Sequence, residues 1–188
     1  MKTRLLMLTI AAACAFVGNA SALTKAEYGT HKDQVKAEYK ADRDKCGALK
    51  SNAKDICVAE AKGKEKVAKA ELESQYKPST KNTRDVAMAK ADSVYNVAKE
   101  KCDDLAGNAK DVCVKDAKAA YVKAKEDAKV AQVSKESGAK SEKAMDAKKE
   151  AADEKREANY KAAKERCDSL ASTAKDACAK DAKAKFGM

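Results

Sequence analysis

The stretch CGALKSNAKDIC at residues 46–57 decides the fold that this sequence predicts. It recurs as CDDLAGNAKDVC at 102–113 and as CDSLASTAKDAC at 167–178, with the same spacing inside each repeat. The spacing between repeats differs, because the repeats start at Cys46, Cys102 and Cys167, and the second interval is longer than the first. Constant interiors joined by variable spacers indicate three local structures rather than the turns of a regular solenoid.

Each repeat predicts a helical hairpin closed by its own disulfide. In one continuous helix the two cysteines would lie about 16 Å apart, whereas a disulfide needs Cα atoms within about 7 Å. A turn halfway between them would place both sulfurs on facing helices. We therefore expect an all-α protein of three αα-hairpins, elongated or loosely packed; continuous helices with intermolecular bridges are the alternative. The predicted pairs are Cys46 with Cys57, Cys102 with Cys113, and Cys167 with Cys178.

Small polar residues at the centre of each repeat predict where one helix ends and the next begins. Asn and Thr are common N-caps, and a carboxylate three residues later completes a variant of the capping box. The predicted capping residues are Asn52 with Asp55, Asn108 with Asp111, and Thr173 with Asp176.

Aromatic and leucine residues occupy repeated positions around the cysteines. A tyrosine precedes the first cysteine of each repeat by seven residues, and in the last two repeats a second ring follows the second cysteine by eight. Such mirror positions become neighbours in an antiparallel hairpin, although Glu65 leaves the first tyrosine without an aromatic mirror partner. The predicted packing residues are Tyr39, Leu49, Tyr95, Leu105, Tyr121, Tyr160, Leu170 and Phe186.

The N-terminal segment at 1–22 has the pattern of a signal peptide. Lys2 and Arg4 precede an apolar run that is shorter than a membrane-spanning helix, and Ala20-Ser21-Ala22 offers a cleavage site. Cleavage after Ala22 would leave six cysteines, an even number that favours disulfides in an exported protein. We expect a periplasmic protein; an uncleaved anchor and a lipoprotein modified at Cys14 are the alternatives.

The chain after Ala22 is rich in Ala, Lys and Glu and poor in large apolar residues. Leu, Ile, Val and Phe together make up roughly one residue in nine, too few for a large core. Its good helix formers nevertheless predict helix almost throughout. Boundaries at 77–80 and 134–138 divide the chain into a first hairpin at 23–78, a second at 79–137 and a third at 138–188.

Several chemistries are unsupported by this composition. His31 is the only histidine, so the sequence offers neither a His-rich metal site nor a Ser-His-Asp arrangement. Aromatic residues make up 4%, which removes the stacking platforms of single-strand nucleic-acid binders. We expect no enzyme activity, no cofactor, no metal and no nucleic-acid partner.

The net charge of the whole chain is +10, from 40 basic and 30 acidic residues. Lysine dominates, which is typical of solvated faces that attract anions weakly and in a salt-sensitive way. Anions of the envelope are lipid headgroups, lipopolysaccharide phosphates and peptidoglycan carboxylates. These are the expected partners, with a periplasmic protein or a second copy of the chain as the other options.

The Ala-Lys-Glu-Asp composition of residues 140–164 resembles the helical stalk of TolA-type envelope proteins. It is also similar to the late-embryogenesis-abundant stress proteins. Both resemblances imply a long helix that acts in the envelope or in stress protection. The chain departs from the first in lacking an evident globular end and from the second in its cysteines.

Three functions follow as hypotheses. The first is a non-enzymatic structural or stress-protective component of the bacterial cell envelope, with a Lys-rich surface toward anionic components. The second is a protein-binding module that uses hairpin grooves around the repeated tyrosines. The third is a redox or metal-handling periplasmic protein that uses the cysteine pairs.

Overall fold

The structure, a computed structural model, describes residues 22–188, which form six α-helices and no strand. The expectation of an all-α protein is thus confirmed, while the predicted signal peptide up to Ser21, with Cys14, lies outside the described residues. The helices are α1 (Lys25–Cys46), α2 (Ser51–Tyr76), α3 (Thr80–Cys102), α4 (Gly107–Ser137), α5 (Glu142–Cys167) and α6 (Ser172–Phe186).

Hydroxyl side chains cap the N-termini of α1, α3 and α5, which lie at the ends of the hairpins opposite the cysteine turns. Thr24 and Glu27 form a capping box at the start of α1, and the Thr24 backbone N–H donates to the Glu27 carboxylate at 2.8 Å. Ser79 accepts from the Asn82 backbone N–H at 3.0 Å, and Ser141 accepts from that of Ala144 at 3.2 Å. Each cap satisfies a backbone donor that the first helical turn leaves free.

The six helices form a single antiparallel layer. Each helix packs against its neighbours in the chain and, within residues 22–188, against no other helix. Because the connections are short, the chain reverses at each one. The three cysteine turns therefore share one edge of the layer, and the turns at 77–79 and 138–141 share the opposite edge. None of the residues described, 22–188, covers either broad side of the layer.

Alanine and cysteine fill the contacts between helices. Nine alanines and three cysteines are buried, and Leu72 is the one large aliphatic side chain buried with them in the described part. Small side chains let helix backbones approach closely. At Gly63 of α2 a Cβ atom would lie 2.0 Å from the Ser93 Oγ of α3. One carboxylate is also buried, since Glu126 is 2% exposed, and it lies 3.3 Å from the Lys125 ammonium.

The layer continues into the lysine-rich start of α5, where composition alone predicts a frayed or fully solvated helix. Ala144, Ala147 and Ala151 are 0%, 6% and 1% exposed, respectively. The i, i+3, i+7 spacing places all three on the side of α5 that packs against α4. A stripe of alanines is enough to hold this segment, even though the rest of its surface is charged.

Candidate functional site: hairpin tips and a basic face

The cysteine turns, which we call the tips, have the same covalent geometry in all three repeats. Cys46–Cys57, Cys102–Cys113 and Cys167–Cys178 are bonded, each with a Cα–Cα distance of 5.6 Å. The pairing predicted from the repeat is confirmed. The first cysteine of each pair is at most 1% exposed, whereas the second is half-buried.

The backbone of the tips differs from the predicted capping arrangement. The second helix of each hairpin begins at a residue with positive φ, namely 50° at Ser51, 55° at Gly107 and 46° at Ser172. The residue before it, Lys50 and its equivalents, stands at the N-cap and makes no side-chain cap hydrogen bond. Because this residue has a left-handed backbone conformation, the helix begins one residue before the predicted N-cap.

The six capping assignments are consequently wrong. The polar residues belong to the first helical turn, and the carboxylates follow one turn later, beyond the free backbone donors. None of these carboxylates lies in the first turn of its helix. The residues concerned are Asn52, Asp55, Asn108, Asp111, Thr173 and Asp176.

The two asparagines instead connect neighbouring hairpins. The Asn52 amide donates to the backbone carbonyl of Glu100 at 2.7 Å, and the Asn108 amide donates to that of Glu165 at 2.9 Å. Each carbonyl lies in the last turn of the next hairpin's first helix and also accepts a backbone N–H, from Asp103 or Asp168, so the amide is its second donor. Thr173 holds the same place in the third repeat, where its side chain makes no such bond within residues 22–188.

The repeated leucines lie on the tips rather than between helices. Leu49, Leu105 and Leu170 are 40%, 44% and 43% exposed, respectively, so the prediction that they pack inside the repeat is wrong. The backbone N–H of each donates to the carbonyl of the first cysteine at 3.0–3.1 Å. Each helix ends at that cysteine, which puts the leucine in the turn.

Four of the aromatic residues in the described part of the chain form two ring pairs. The Tyr95 and Tyr121 centroids lie 5.1 Å apart. Tyr28 stacks on Tyr76 with centroids 4.4 Å apart, a pair that the repeat alignment did not indicate because neither residue recurs. Tyr39 instead accepts a hydrogen bond from Arg43 Nη1 at 3.2 Å.

The third hairpin contains a cleft of about 810 Å³ between α5 and α6. Its lining includes Ala163, Arg166, Ala177 and Phe186, while Tyr160 is half-buried outside the lining.

One broad side of the first hairpin carries two stripes of basic side chains, which we call the basic face. Intervals of three and four residues place the members of each stripe on one side of their helix. The stripes are Lys32, Lys36, Lys40 and Arg43 on α1 and Lys62, Lys66 and Lys69 on α2.

An ion pair shows that both stripes lie on the same side of the layer. A carboxylate oxygen of Asp42 on α1 lies 3.2 Å from the ammonium of Lys64 on α2. These two side chains therefore project from the same broad side of the layer. Two residues along a helix correspond to a rotation of about 200°. Lys40, two residues from Asp42, and Lys62, two residues from Lys64, therefore project from the opposite side. The disulfide and the Tyr28–Tyr76 stack hold the two stripes level with each other.

The basic face has more cations than its carboxylates can pair. Lys36, Lys66 and Lys69 contact Asp33, Asp92 and Glu65, respectively, at 2.9, 2.5 and 2.5 Å. Lys32, Lys40 and Lys62 have no ion-pair partner within residues 22–188. All six lysines are exposed.

Carboxylates on the other side of the layer connect helices through lysine pairs. Hydrogen bonds from Lys45 and Lys64 lower the pKa of Asp42, and hydrogen bonds from Lys155 and Lys123 lower the pKa of Asp127. The two carboxylates occupy the α1–α2 and α4–α5 contacts, respectively. They stabilise the layer while they are ionised.

No protein-family model matches the chain, and no similar curated protein or solved structure was found. Within residues 22–188, none of the helices has the length and apolarity that crossing a bilayer requires. The described residues also contain no group of three or more His, Cys, Asp or Glu side chains placed to hold a metal ion.

Proposed function

We propose that this protein is an exported, non-enzymatic component of the bacterial cell envelope with a structural or stress-protective role. Its lysine-rich helical layer would lie against anionic envelope components. The observation that carries the proposal is the open layer itself, because each helix packs only on its chain neighbours in the described part. Such a layer presents two broad charged sides for contact, and its covalent tips keep the hairpins closed.

Disulfides support export, since they persist in oxidising compartments such as the periplasm. The proposed signal peptide would direct the chain there and leave Leu23 as the new N-terminus. The charge supports an anionic partner, because the chain from residue 23 has 38 basic and 30 acidic residues. Attraction of this kind is long-ranged, weak per residue and screened by salt.

Cell fractionation tests the proposal. The protein, expressed with its own N-terminus in a Gram-negative host, should be recovered from the periplasm beginning at Leu23. Isolated envelopes should retain it at low salt and release it at high salt. Recovery of the uncleaved chain from the cytoplasm, or a salt-insensitive one-to-one complex with another protein, would contradict the proposal.

A further inference from the structure

The basic face of the first hairpin differs from the same positions in the other hairpins. In the third hairpin the places of Lys32 and Lys36 are taken by Asp153 and Glu157. In the second hairpin Asp92 takes the place of Lys36. The repeats align these positions without insertions, so the residues compared occupy equivalent places on their helices. The hairpins therefore differ here in the side chains that they expose. The first hairpin alone combines both full basic stripes.

The dimensions of the basic face suit an extended anionic surface. Its longer stripe covers about 16 Å of helix at 1.5 Å per residue, and the stripes lie about 8–10 Å apart on neighbouring helices. The face lies on two antiparallel helices, and its lysines are exposed on the surface and do not line a cleft. Lysine acts toward phosphate as a flexible point charge, without the two-pronged geometry of arginine. The one guanidinium of the face, that of Arg43, is already held against Tyr39.

We propose that this face docks onto the phosphate headgroups of anionic phospholipids. The inference rests on the proposed function and names the surface and the ligand through which it operates. Each basic residue near an anionic bilayer strengthens binding about fivefold. The three lysines without ion-pair partners in the described part contribute most, because no carboxylate there has to be displaced from them.

The repeat supplies a matched pair of variants for the test. K40E/R43E/K62E alters the basic face, and K161E/K164E/K183E makes the corresponding changes at the equivalent positions of the third hairpin. Both variants change the net charge equally, so diffuse attraction weakens equally in both. Circular dichroism melting of each variant shows whether the layer stays folded.

Binding is measured by flotation with vesicles of phosphatidylglycerol and phosphatidylcholine mixed one to two, with pure phosphatidylcholine as the blank. The wild type should bind the anionic vesicles and lose affinity steeply as salt rises. The first-hairpin variant should lose at least a hundredfold in affinity, and the third-hairpin variant less than fivefold.

Equal losses in the two variants would overturn the docking surface while leaving the proposed function in place. Binding to peptidoglycan sacculi but not to the vesicles would do the same. Absence of binding to either at low salt would overturn the proposed function itself. Sedimentation velocity without vesicles is the remaining arm: a wild-type dimer that K40E/R43E/K62E makes monomeric would overturn the lipid assignment by showing that a second copy covers the face.

Discussion

The first and third hairpins have the same tip and different bodies. In the first, α1 and α2 have 22 and 26 residues, so the two helices support each other over most of their length. In the third, α5 has 26 residues and α6 only 15, so within residues 22–188 the start of α5 has no partner on that flank. The first hairpin shows lysines where the third shows Asp153 and Glu157. A repeated covalent turn thus sets the fold, while the helix bodies are free to vary in length and charge.

Removing single disulfides should have the largest effect on stability. The size and extent of that effect should differ from one hairpin to another. Each bridge closes an eleven-residue separation, for which the chain-entropy estimate is about 2.5–3 kcal/mol. Cys102→Ser with Cys113→Ser should lower the free energy of global unfolding by roughly that amount, because the unfolded chain regains the entropy that the bridge removes. Urea denaturation measures it.

The corresponding change in the third hairpin should act locally. Cys167→Ser with Cys178→Ser should expose the amides of α6 to hydrogen exchange, because α6 packs only on α5 within the described part. Protection of α1 and α2 should stay unchanged. Loss of protection along the whole chain would show that the third hairpin is as tightly coupled to the layer as the central one.

Gly63→Ala should be the most damaging single substitution that leaves the cysteines intact. The new methyl group would lie 2.0 Å from the Ser93 Oγ and 2.9 Å from its Cβ, so α2 and α3 must separate. Overpacking of this kind costs about 1–3 kcal/mol. The double variant Gly63→Ala with Ser93→Gly should regain most of the loss in thermal melting. No rescue would mean that the helices are not in close contact there.

The asparagine bonds between tips should contribute less, and only at the first two tips, where the structure shows them. Asn52→Ala and Asn108→Ala should each lower stability by about 1 kcal/mol, because each removes one hydrogen bond between neighbouring hairpins. Thr173→Ala at the equivalent position should have almost no effect on the melting temperature. A similar loss in all three variants would point to a role within the tip instead.

Acid should produce the smallest change, and its sign follows from the lowered pKa values of Asp42 and Asp127. A carboxylate with a lowered pKa stabilises the folded state above its unfolded pKa of about 3.9 and stops doing so as pH falls through the folded value. The melting temperature should therefore be flat from pH 8 to about 5 and fall below about 4. Asp42→Asn with Asp127→Asn should flatten that fall, and an unchanged acid profile in this variant would contradict the assignment.

The covalent framework could be predicted from the sequence because the repeat contains its own evidence. Two cysteines on opposite sides of a turn satisfy a distance requirement that a continuous helix cannot meet. The capping box of Thr24 with Glu27 is equally predictable, since it depends on nearby residues alone.

The tip details could not be predicted, because they depend on contacts between hairpins. Asn52 is a residue type typical of an N-cap, yet its amide bonds to Glu100, 48 residues away. A residue type that suits two kinds of hydrogen bond does not tell which one forms. The prediction for the leucines is wrong for a related reason: an apolar residue repeated at a helix end looks like core until the helix is known to stop at the preceding cysteine.

The basic face could not be singled out from the sequence. Stripes of lysine are common in a chain with 40 basic residues, and their number alone does not distinguish one hairpin from another. The Asp42–Lys64 pair is what shows that the two stripes of the first hairpin lie on one side of the layer. That relation requires the pairing of α1 with α2.

Thermal unfolding of the oxidised and the reduced protein, followed by circular dichroism, tests the central claim most directly. The claim is that three short cross-links stabilise a layer whose helix contacts consist mainly of alanine. Full reduction should therefore lower the melting temperature by tens of degrees or abolish the cooperative transition. Superimposable melting curves before and after reduction would contradict the claim, since the alanine contacts would then hold the layer without help.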